Sequence, residues 1–449
     1  MTGLISRGDL LPPMGTTRTF LSRPRKDRLA QSGRFLGWWM LLICGIAVFA
    51  SSSGLTYTVS VYVDPVIEDL GISRSLLSTA YALGTGIGGL VLLWMGKPLE
   101  RWGNRKVMAV GAIGLAAGLI VLSLATGPWW LFLGFPMIRT FGQGTMPLAA
   151  RVLIPNWFYR HRARAFSLLG LSSVAAIALL PLANSWLIDQ FGWRTAWRVM
   201  AVALVVVIVP VVLRFVRDRP EDVGQYPDGA VPDADGVAPV TDAGIGFSLA
   251  EAKRTPAFWA LVLAGAVPPL ITTGQHLHQS AIFVDRGAPE TIAAATFTIE
   301  AASMLAANLG MGWLGNRLSP RLTLGICLFM MVMTLVALLF SGYAVVAVLY
   351  GMLRGGTNGA MNIAIDVAWP TYYGRKHLGS IRGFGMAVSL LGSAIGPLPF
   401  GIAADYFGGY VPAIIGLMFL PLSIGIFVFA TRPPKLPVPD GGPVRVSGG

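Results

Sequence analysis

The sequence has few charged residues and very few cysteines. Asp, Glu, Lys and Arg make up 12% of the 449 residues, whereas soluble domains average about 25%. A soluble fold of this composition would leave most of its surface without charge. The two cysteines, Cys44 and Cys327, both lie in apolar stretches and cannot provide a disulfide framework or a cysteine metal site. The composition therefore excludes an ordinary soluble domain and a disulfide-rich secreted one.

Motifs for nucleotide use and for hydrolysis are also missing. No Gly-x-x-x-x-Gly-Lys-Ser/Thr loop occurs, which argues against a nucleotide-driven machine. Neither His-Glu-x-x-His nor Gly-x-Ser-x-Gly occurs, which argues against an intramembrane enzyme. His276 and His278 have no third ligand at a spacing that would complete a metal site. We therefore expect no enzymatic activity, no cofactor and no bound metal.

Hydrophobic residues, by contrast, make up 54% of the chain and form twelve long apolar runs. A transmembrane helix needs about 20 such residues to cross about 30 Å of hydrocarbon. The runs predict an all-α membrane protein of twelve transmembrane helices in two six-helix bundles, residues 36–215 and 257–430. Outside them we expect a basic cytoplasmic tail at 1–35, a cytoplasmic linker at 216–256 and a second tail at 431–449. The predicted spans are 36–60, 74–96, 106–126, 129–152, 165–188, 196–215, 257–283, 291–314, 321–341, 343–367, 381–404 and 410–430.

The net charge of +13 could indicate nucleic-acid binding, but that requires a basic face on a soluble fold. In the twelve-span arrangement most Lys and Arg lie in alternate loops, and the opposite loops contain only Arg74, Arg194, Arg198 and Arg286. An excess of cations marks cytoplasmic loops. We therefore expect a multi-pass protein of the plasma or cell inner membrane with both termini in the cytoplasm. Its expected partner is the lipid bilayer, and we expect no nucleic-acid binding.

The two groups of six spans share residues at a nearly constant offset of 215 or 216 positions. Three sets of matches in register along the chain indicate a duplication, with the halves related by an axis along the membrane normal. The matching residues are Gly96, Glu100 and Arg101 with Gly312, Asn316 and Arg317, then Arg139 and Gly144 with Arg354 and Gly359, then Pro181 and Asp189 with Pro397 and Asp405.

Residues 96–106 read Gly-Lys-Pro-Leu-Glu-Arg-Trp-Gly-Asn-Arg-Lys. This stretch resembles the Gly-x-x-x-Asp-Arg-x-Gly-x-Arg-Arg loop between helices 2 and 3 of the major facilitator superfamily, with Glu100 for the Asp and Lys106 for the last Arg. Further stretches are similar to its monocarboxylate and oxalate/formate carriers. They lie at 156–162, 191–194, 219–224, 372–375, 379–383 and 396–397. The resemblance implies a secondary transporter that works by alternating access, with substrate bound between the halves.

Ionisable residues inside a span cost about 3 kcal/mol on insertion scales, so each is a candidate for function. Arg139 in span 4 and Arg354 in span 10 lie about ten residues from a helix end, near mid-membrane. Either could bind a substrate carboxylate through two hydrogen bonds, or be a structural arginine bonded to helix carbonyls. Glu300 in span 8 is the candidate proton carrier, because a carboxyl group is more readily protonated in an apolar interior. Its alternative role is a neutral acid that only joins two helices.

Three more residues are candidate substrate contacts. His276 in span 7 and Tyr57 in span 1 could line the cavity, with packing or an interfacial position as the alternative. In the carboxylate carriers that this chain resembles, span 8 has an anion-binding arginine about two turns before the acid of the loop. Asn308 occupies that position here. A carboxylate substrate therefore requires that Arg139 or Arg354 supply the positive charge.

The charged loop is the candidate gate. Its glycines permit close approach of helices. Glu100 can form ion pairs with Arg101 and Arg105 that hold the halves in one orientation and break in the other. In the second copy of the loop the acid is replaced by Asn316, so that copy should hold the two halves together more weakly. The alternative is that these charges only set the topology. The gating residues implied by the resemblance are Gly96, Glu100, Arg101, Gly103, Arg105, Asn316 and Arg317.

From the residues and the resemblance together, we expect a monomeric transporter of a small organic solute. A monocarboxylate-type organic acid moved together with protons is the first hypothesis. Efflux of neutral or amphipathic drug-like compounds is the second, since the span 8 arginine is missing. A non-transporting membrane receptor on the same fold is a third, but the short tails leave no room for a signalling domain.

Overall fold

The computed structural model of the chain describes residues 35–230, 246–315 and 317–436. Within these residues all regular secondary structure is helical, apart from a single backbone bridge between Gly246 and Gly374. Most of the two predicted tails, the middle of the predicted linker and the proposed gating residue Asn316 lie outside the described residues. The described part contains twelve helices of membrane-crossing length, six in each half, as the apolar runs predict.

In the first half, α1 covers residues 37–70 and is interrupted near its middle by short 3₁₀ turns. The next two helices form one continuous segment, Arg74–Ser123, which Gly103 divides into α2 (74–102) and α3 (104–123). Helix α4 (128–157) contains a π-helical turn, Arg139–Thr145. Helices α5 (162–191) and α6 (193–215) again form one segment, divided at Gly192.

In the second half the helices are mostly uninterrupted. They are α7 Pro256–Asp285, α8 Glu290–Leu314, α9 Pro320–Leu339, α10 Ala344–Tyr373, α11 (residues 378–407) and α12 Val411–Ala430. Helix α11 consists of Leu378–Ile395 and Pro397–Phe407. A short helix, Leu249–Ala252, precedes α7, and Ser248 and Glu251 cap its start reciprocally, which satisfies backbone N–H groups at the helix end.

The turn between α2 and α3 shows why the charged loop contains glycine. Gly103 has φ 82°, a conformation that residues with a Cβ rarely adopt. A Cβ on Gly103 would also lie 2.6 Å from the Asp218 carboxylate. That carboxylate accepts a hydrogen bond of 3.0 Å from the backbone N–H of Arg105. The start of the linker is thereby fixed to the loop between α2 and α3.

The two halves meet along two seams, α2 against α11 and α5 against α8. We call the side with the 96–106 loop and the linker the linker side. The hydrogen bonds that join the halves there include Ser380 N to Glu100 Oε1 at 2.8 Å, Ser167 Oγ to the Asn308 carbonyl at 2.5 Å, and Arg375 Nη1 to the Asn156 carbonyl at 2.9 Å. The structure is therefore closed on the linker side.

Away from the linker side the halves diverge. The position of a Cβ on Gly89 of α2 is 3.2 Å from Leu391 of α11, so the helices touch at this level. About one turn further from the linker, a Cβ on Gly86 would have no neighbour within 4 Å. On the facing helix, Ile395 is likewise exposed. A space between the halves therefore opens toward the side opposite the linker.

Candidate functional site

A cavity of about 850 Å³ lies between the halves. Its walls come from α1, α4 and α5 of the first half and from α7, α8, α10 and α11 of the second. Apolar side chains such as Ile177, Leu261 and Met304 make up most of the lining, and a few polar groups project among them. A smaller space of about 230 Å³ adjoins it, and Arg151 borders both. Size and lining are typical of a small-molecule site.

Glu300 is an acid on the cavity wall, next to an exposed histidine and a buried arginine. Its Oε2 lies 3.2 Å from His276 Nε2, and the imidazole of His276 stacks on the ring of Phe297. Its Oε1 accepts a hydrogen bond of 3.3 Å from Asn358 and lies 3.2 Å from Arg354 Nε. Because the His276 side chain is 45% exposed whereas that of Arg354 is 2% exposed, Glu300 joins an accessible base to a buried cation.

Arg354 lies behind Glu300 and is almost completely enclosed. Its Nη1 donates to Gln279 Oε1 and, at 2.6 Å, to the hydroxyl of Tyr350. The guanidinium also lies over the ring of Phe297, 5.9 Å from the centroid. A buried arginine is tolerated when a carboxylate and further hydrogen bonds compensate it. Glu300 and Arg354 therefore act as one electrostatic unit, and loss of the charge on either leaves the other uncompensated.

Arg139 of α4 is the equivalent of Arg354 in the first half. Its guanidinium lies 4.8 Å from the ring centroid of Tyr81, which is the position equivalent to Phe297. Its Nη1 is 3.5 Å from both the Gly54 carbonyl and Thr56 Oγ1. The position equivalent to Glu300 is Gly84, so this arginine has no acid at the matching place. Arg139 is a buried cation held by long hydrogen bonds and an aromatic ring.

The end of the cavity nearest the linker contains a cluster of three charged residues, Arg151, Asp366 and Arg382. Arg382 donates to Asp366 Oδ1 and, at 3.4 Å, to the Asp366 carbonyl. Arg151 Nε lies 3.5 Å from Asp366 Oδ2. Arg151 belongs to the first half, whereas the other two belong to the second. The cluster is therefore an electrostatic contact between the halves at the floor of the cavity.

The charged loop contacts the second half through the polar group of Glu100 and the close packing of Gly96. Glu100 accepts the bond from Ser380 N, and its other oxygen lies 3.2 Å from His377 Nδ1. Ser380 is in the first turn of α11, where a carboxylate satisfies free N–H groups and favours the helix dipole. Gly96 packs so tightly against this turn that a Cβ would lie 2.3 Å from Ser380 Cα. This contact closes the α2–α11 seam.

Four other proposed gating residues lie on the linker side and form no hydrogen bond or ion pair with the opposite half among the described residues: Arg101, Gly103, Arg105 and Arg317. Arg101 is exposed, Arg105 uses its backbone N–H to bind Asp218, and Arg317 lies 4.8 Å from the ring centroid of Trp313 in its own half. Gly103 forms the turn described above. Glu100 thus contacts His377 and Ser380 of the second half, whereas ion pairs with Arg101 and Arg105 were expected.

Of the proposed substrate and proton residues, Tyr57, His276 and Glu300 line the cavity. Arg354 lies behind Glu300, and Arg139 lies behind Thr56, which is itself a lining residue. Asn308 lies instead at the α5–α8 seam, where its side chain packs against Gly170. The structure therefore brings the three lining residues together at one cavity, places the two arginines behind its wall, and separates Asn308 from it.

Sequence reasoning missed Arg151 and Arg382 as site residues, because both lie close to the ends of their spans. A signal was available: Asp366 follows Arg151 by the same 215 residues that separate Arg139 from Arg354. A residue that touches its own repeat equivalent must lie next to the axis that relates the two halves. The offset therefore identifies this pair as a contact at the centre of the molecule.

The family model described as Major Facilitator Superfamily matches residues 41–283 and 267–446. The chain belongs to this superfamily. As a major facilitator it is a secondary transporter, a multi-pass membrane protein that moves a small-molecule substrate, and not an enzyme. The predicted fold of twelve helices in two six-helix bundles and the resemblance stated from the sequence are confirmed.

Relatives of this major facilitator transporter include mouse monocarboxylate transporter 11, which is 25% identical over 398 residues, 87% of this chain and 79% of the relative. The oxalate:formate antiporter of Oxalobacter formigenes is 24% identical over 226 residues, 50% of each chain. The puromycin resistance protein pur8 of Streptomyces alboniger is 31% identical over 163 residues, 35% of this chain and 31% of that one.

Among solved structures, the fucose:proton symporter of E. coli superposes with a TM-score of 0.64. The match covers 88% of this chain and 99% of the symporter, at 15% sequence identity. At this identity the similarity supports the major facilitator fold alone.

Proposed function

We propose that this transporter carries a small organic acid of the monocarboxylate type together with a proton. The observation on which the proposal rests is the position of Glu300, which is within hydrogen-bond distance of the accessible His276 and of the buried Arg354. A proton that enters from the cavity can reach Glu300 through the imidazole. The names of two relatives, a monocarboxylate transporter and an oxalate:formate antiporter, support an acid as the substrate.

Protonation of Glu300 links the proton to the substrate through charge. While the carboxylate is ionised, it compensates Arg354. Once it is neutral, Arg354 becomes an uncompensated cation close to the cavity, and an uncompensated charge in a poorly hydrated interior is costly. An anion bound in the same cavity reduces that cost even when another arginine holds its carboxylate, because Coulomb interactions are strong across a poorly hydrated space. The proton and the anion therefore increase each other's affinity, as thermodynamic linkage requires. Arg139 and Tyr57 remain proposed contacts of the same substrate.

We further propose that the linker side faces the cytoplasm and that both termini lie there, in the plasma or cell inner membrane. The cations of the 96–106 loop support this orientation. The cavity then opens outward in this conformation. The loop residues Glu100 and Gly96 stabilise that state by closing the opposite side. We propose a monomer as the functional unit, because one chain contains both halves of the cavity.

The second candidate is efflux of neutral or amphipathic compounds. The apolar walls of the cavity, among them Phe297, Met361 and Trp369, suit such compounds, and one relative is named for puromycin resistance. Under this hypothesis Glu300 would still exchange protons, but no acid would be accumulated. Increased resistance of expressing cells to hydrophobic toxicants, without uptake of any acid, would favour efflux over the first proposal.

Uptake into proteoliposomes tests the proposal, with labelled acetate, lactate, pyruvate and benzoate as probes. An imposed inward proton gradient should drive accumulation of at least one of them. Glu300→Gln should abolish gradient-driven accumulation while leaving exchange of internal for external acid, because a neutral amide mimics the protonated acid permanently. Glu68→Gln, at an exposed acid at the end of α1, is the matched control. Undiminished accumulation by Glu300→Gln would exclude Glu300 as the proton carrier.

A further inference from the structure

Arg151 differs from the other arginines of the site in how weakly it is held. Its side chain is 30% exposed and borders both the main cavity and the smaller space beside it. Its recorded ion pair is the single contact of 3.5 Å with Asp366. Arg382, by comparison, is 2% exposed, binds Asp366 at two oxygens and lies over the ring of Phe166. Asp366 is therefore held mainly by Arg382, and Arg151 has N–H donors that a ligand in the cavity can reach.

The charges at the floor of the cavity do not balance. Two lining arginines, Arg151 and Arg382, face one lining carboxylate, Asp366. Arg382 is the closer partner of Asp366. One positive charge remains, and it belongs to the arginine that the cavity exposes. A single negative charge on a ligand would complete the balance of this cluster.

From these two observations, and given the organic-acid transport proposed above, we propose that Arg151 binds the substrate's carboxylate at the floor of the cavity and that the carboxylate displaces Asp366 from Arg151. The site takes a monocarboxylate, which a guanidinium binds through two parallel N–H···O bonds. Asp366 keeps its bonds to Arg382, so no carboxylate is left without a partner when the exchange occurs.

The exchange has a mechanical consequence, because Arg151 and Asp366 belong to different halves. In the empty transporter their contact is one of the interactions that hold the halves together on the linker side. A bound carboxylate removes that contact and replaces its electrostatic energy. The free energy needed to open the linker side is therefore lower with substrate bound than with the cavity empty. Arg151 thus takes part in both binding and gating.

Transport kinetics of three variants test the proposal, with whichever of the four acids the wild-type protein transports as the probe. Arg151→Gln should raise KM about tenfold or more, since it removes charge-assisted hydrogen bonds. Arg151→Lys keeps the charge without the paired donors and should give an intermediate KM. Asp366→Asn should lower KM, because the competing carboxylate is gone. Arg160→Gln, at an exposed arginine outside the cavity, should match the wild type.

A second measurement reports the gate directly. The variant Ser167→Cys, in the α5–α8 seam, should react with a thiol reagent from the linker side faster when the acid is present. The acid should have no such effect in the Arg151→Gln background, even when added at ten times the raised KM. If an acid is transported and Arg151→Gln and Arg151→Lys both keep the wild-type KM, the carboxylate site is overturned while the proposed function stands. If the wild type neither transports nor responds to any of the acids, the proposed function fails first and this site fails with it.

Discussion

Replacing Gly96 with alanine tests whether the close packing of α2 on α11 holds the linker side closed. The added Cβ would lie 2.3 Å from Ser380 Cα, 2.7 Å from Ser380 N and 2.9 Å from the Gly379 carbonyl. All three neighbours are backbone atoms, so no side-chain rotation can relieve the overlap. The halves must separate at this seam, or the helices must shift relative to each other.

The size of the effect follows from the cost of overpacking. Extra methyl groups in a well-packed interior cost about 1–3 kcal/mol. This cost applies only to the state that is closed on the linker side. If it is expressed wholly as a change in the balance between conformations, the open population rises about 5- to 150-fold. Gly86→Ala, about three turns away on α2, is the matched control because its Cβ meets nothing within 4 Å.

Thiol labelling of Ser167→Cys provides the assay. Ser167 is buried in the other seam, so labelling from the linker side requires the halves to move apart and does not report a local disturbance around Gly96. Background labelling should be low because both native cysteines are buried. The labelling rate should rise at least fivefold with Gly96→Ala and stay unchanged with Gly86→Ala. Equal rates in all three proteins would refute the assignment of Gly96 to the closed state.

Three further predictions follow from single contacts. Glu100→Gln weakens the bond to Ser380 N by removing its charge, and should raise the same labelling rate by less than the glycine substitution does, because a charge-assisted bond is about twice as strong as a neutral one. Gly103→Ala should lower the thermal unfolding temperature in detergent, since the residue has a positive φ and a methyl group would meet Asp218. Leu119→Ala, at a fully buried position in α3, should destabilise the fold by about 2–5 kcal/mol, measured by denaturant unfolding.

The number and order of the helices could be predicted from the sequence because crossing a bilayer imposes a length on every apolar run. The loop that contains Gly103 could be predicted because it separates two such runs. The duplication could be predicted because matching residues recur after 215 or 216 positions. The boundaries were less predictable: α4 continues to Trp157 and α10 to Tyr373, beyond the predicted ends near 152 and 367. Polar residues can extend a transmembrane helix where neighbouring helices bury them. Hydropathy depends only on the segment's own residues, so it cannot show that burial.

The site was harder to predict because it depends on contacts between distant parts of the chain. Sequence spacing indicated that Glu300 and Arg354 lie at similar depth, but not that Arg354 stands behind Glu300. It also assigned Asn308 by its distance from the loop, whereas the rotation of α8 directs that residue toward α5. Arg151 and Asp366 could have been paired from the repeat, but only with the geometric argument that equivalent residues meet at the axis.

The opposite charges at positions 151 and 366 restrict how such a carrier can be built. Two identical six-helix chains arranged as a dimer would present the same residue twice at this place, and an arginine would then repel its copy. Only when the two copies are separate stretches of one polypeptide, free to mutate independently, can attraction replace that repulsion. Fusion thus does more than tether the bundles: it allows their common centre to be chemically asymmetric.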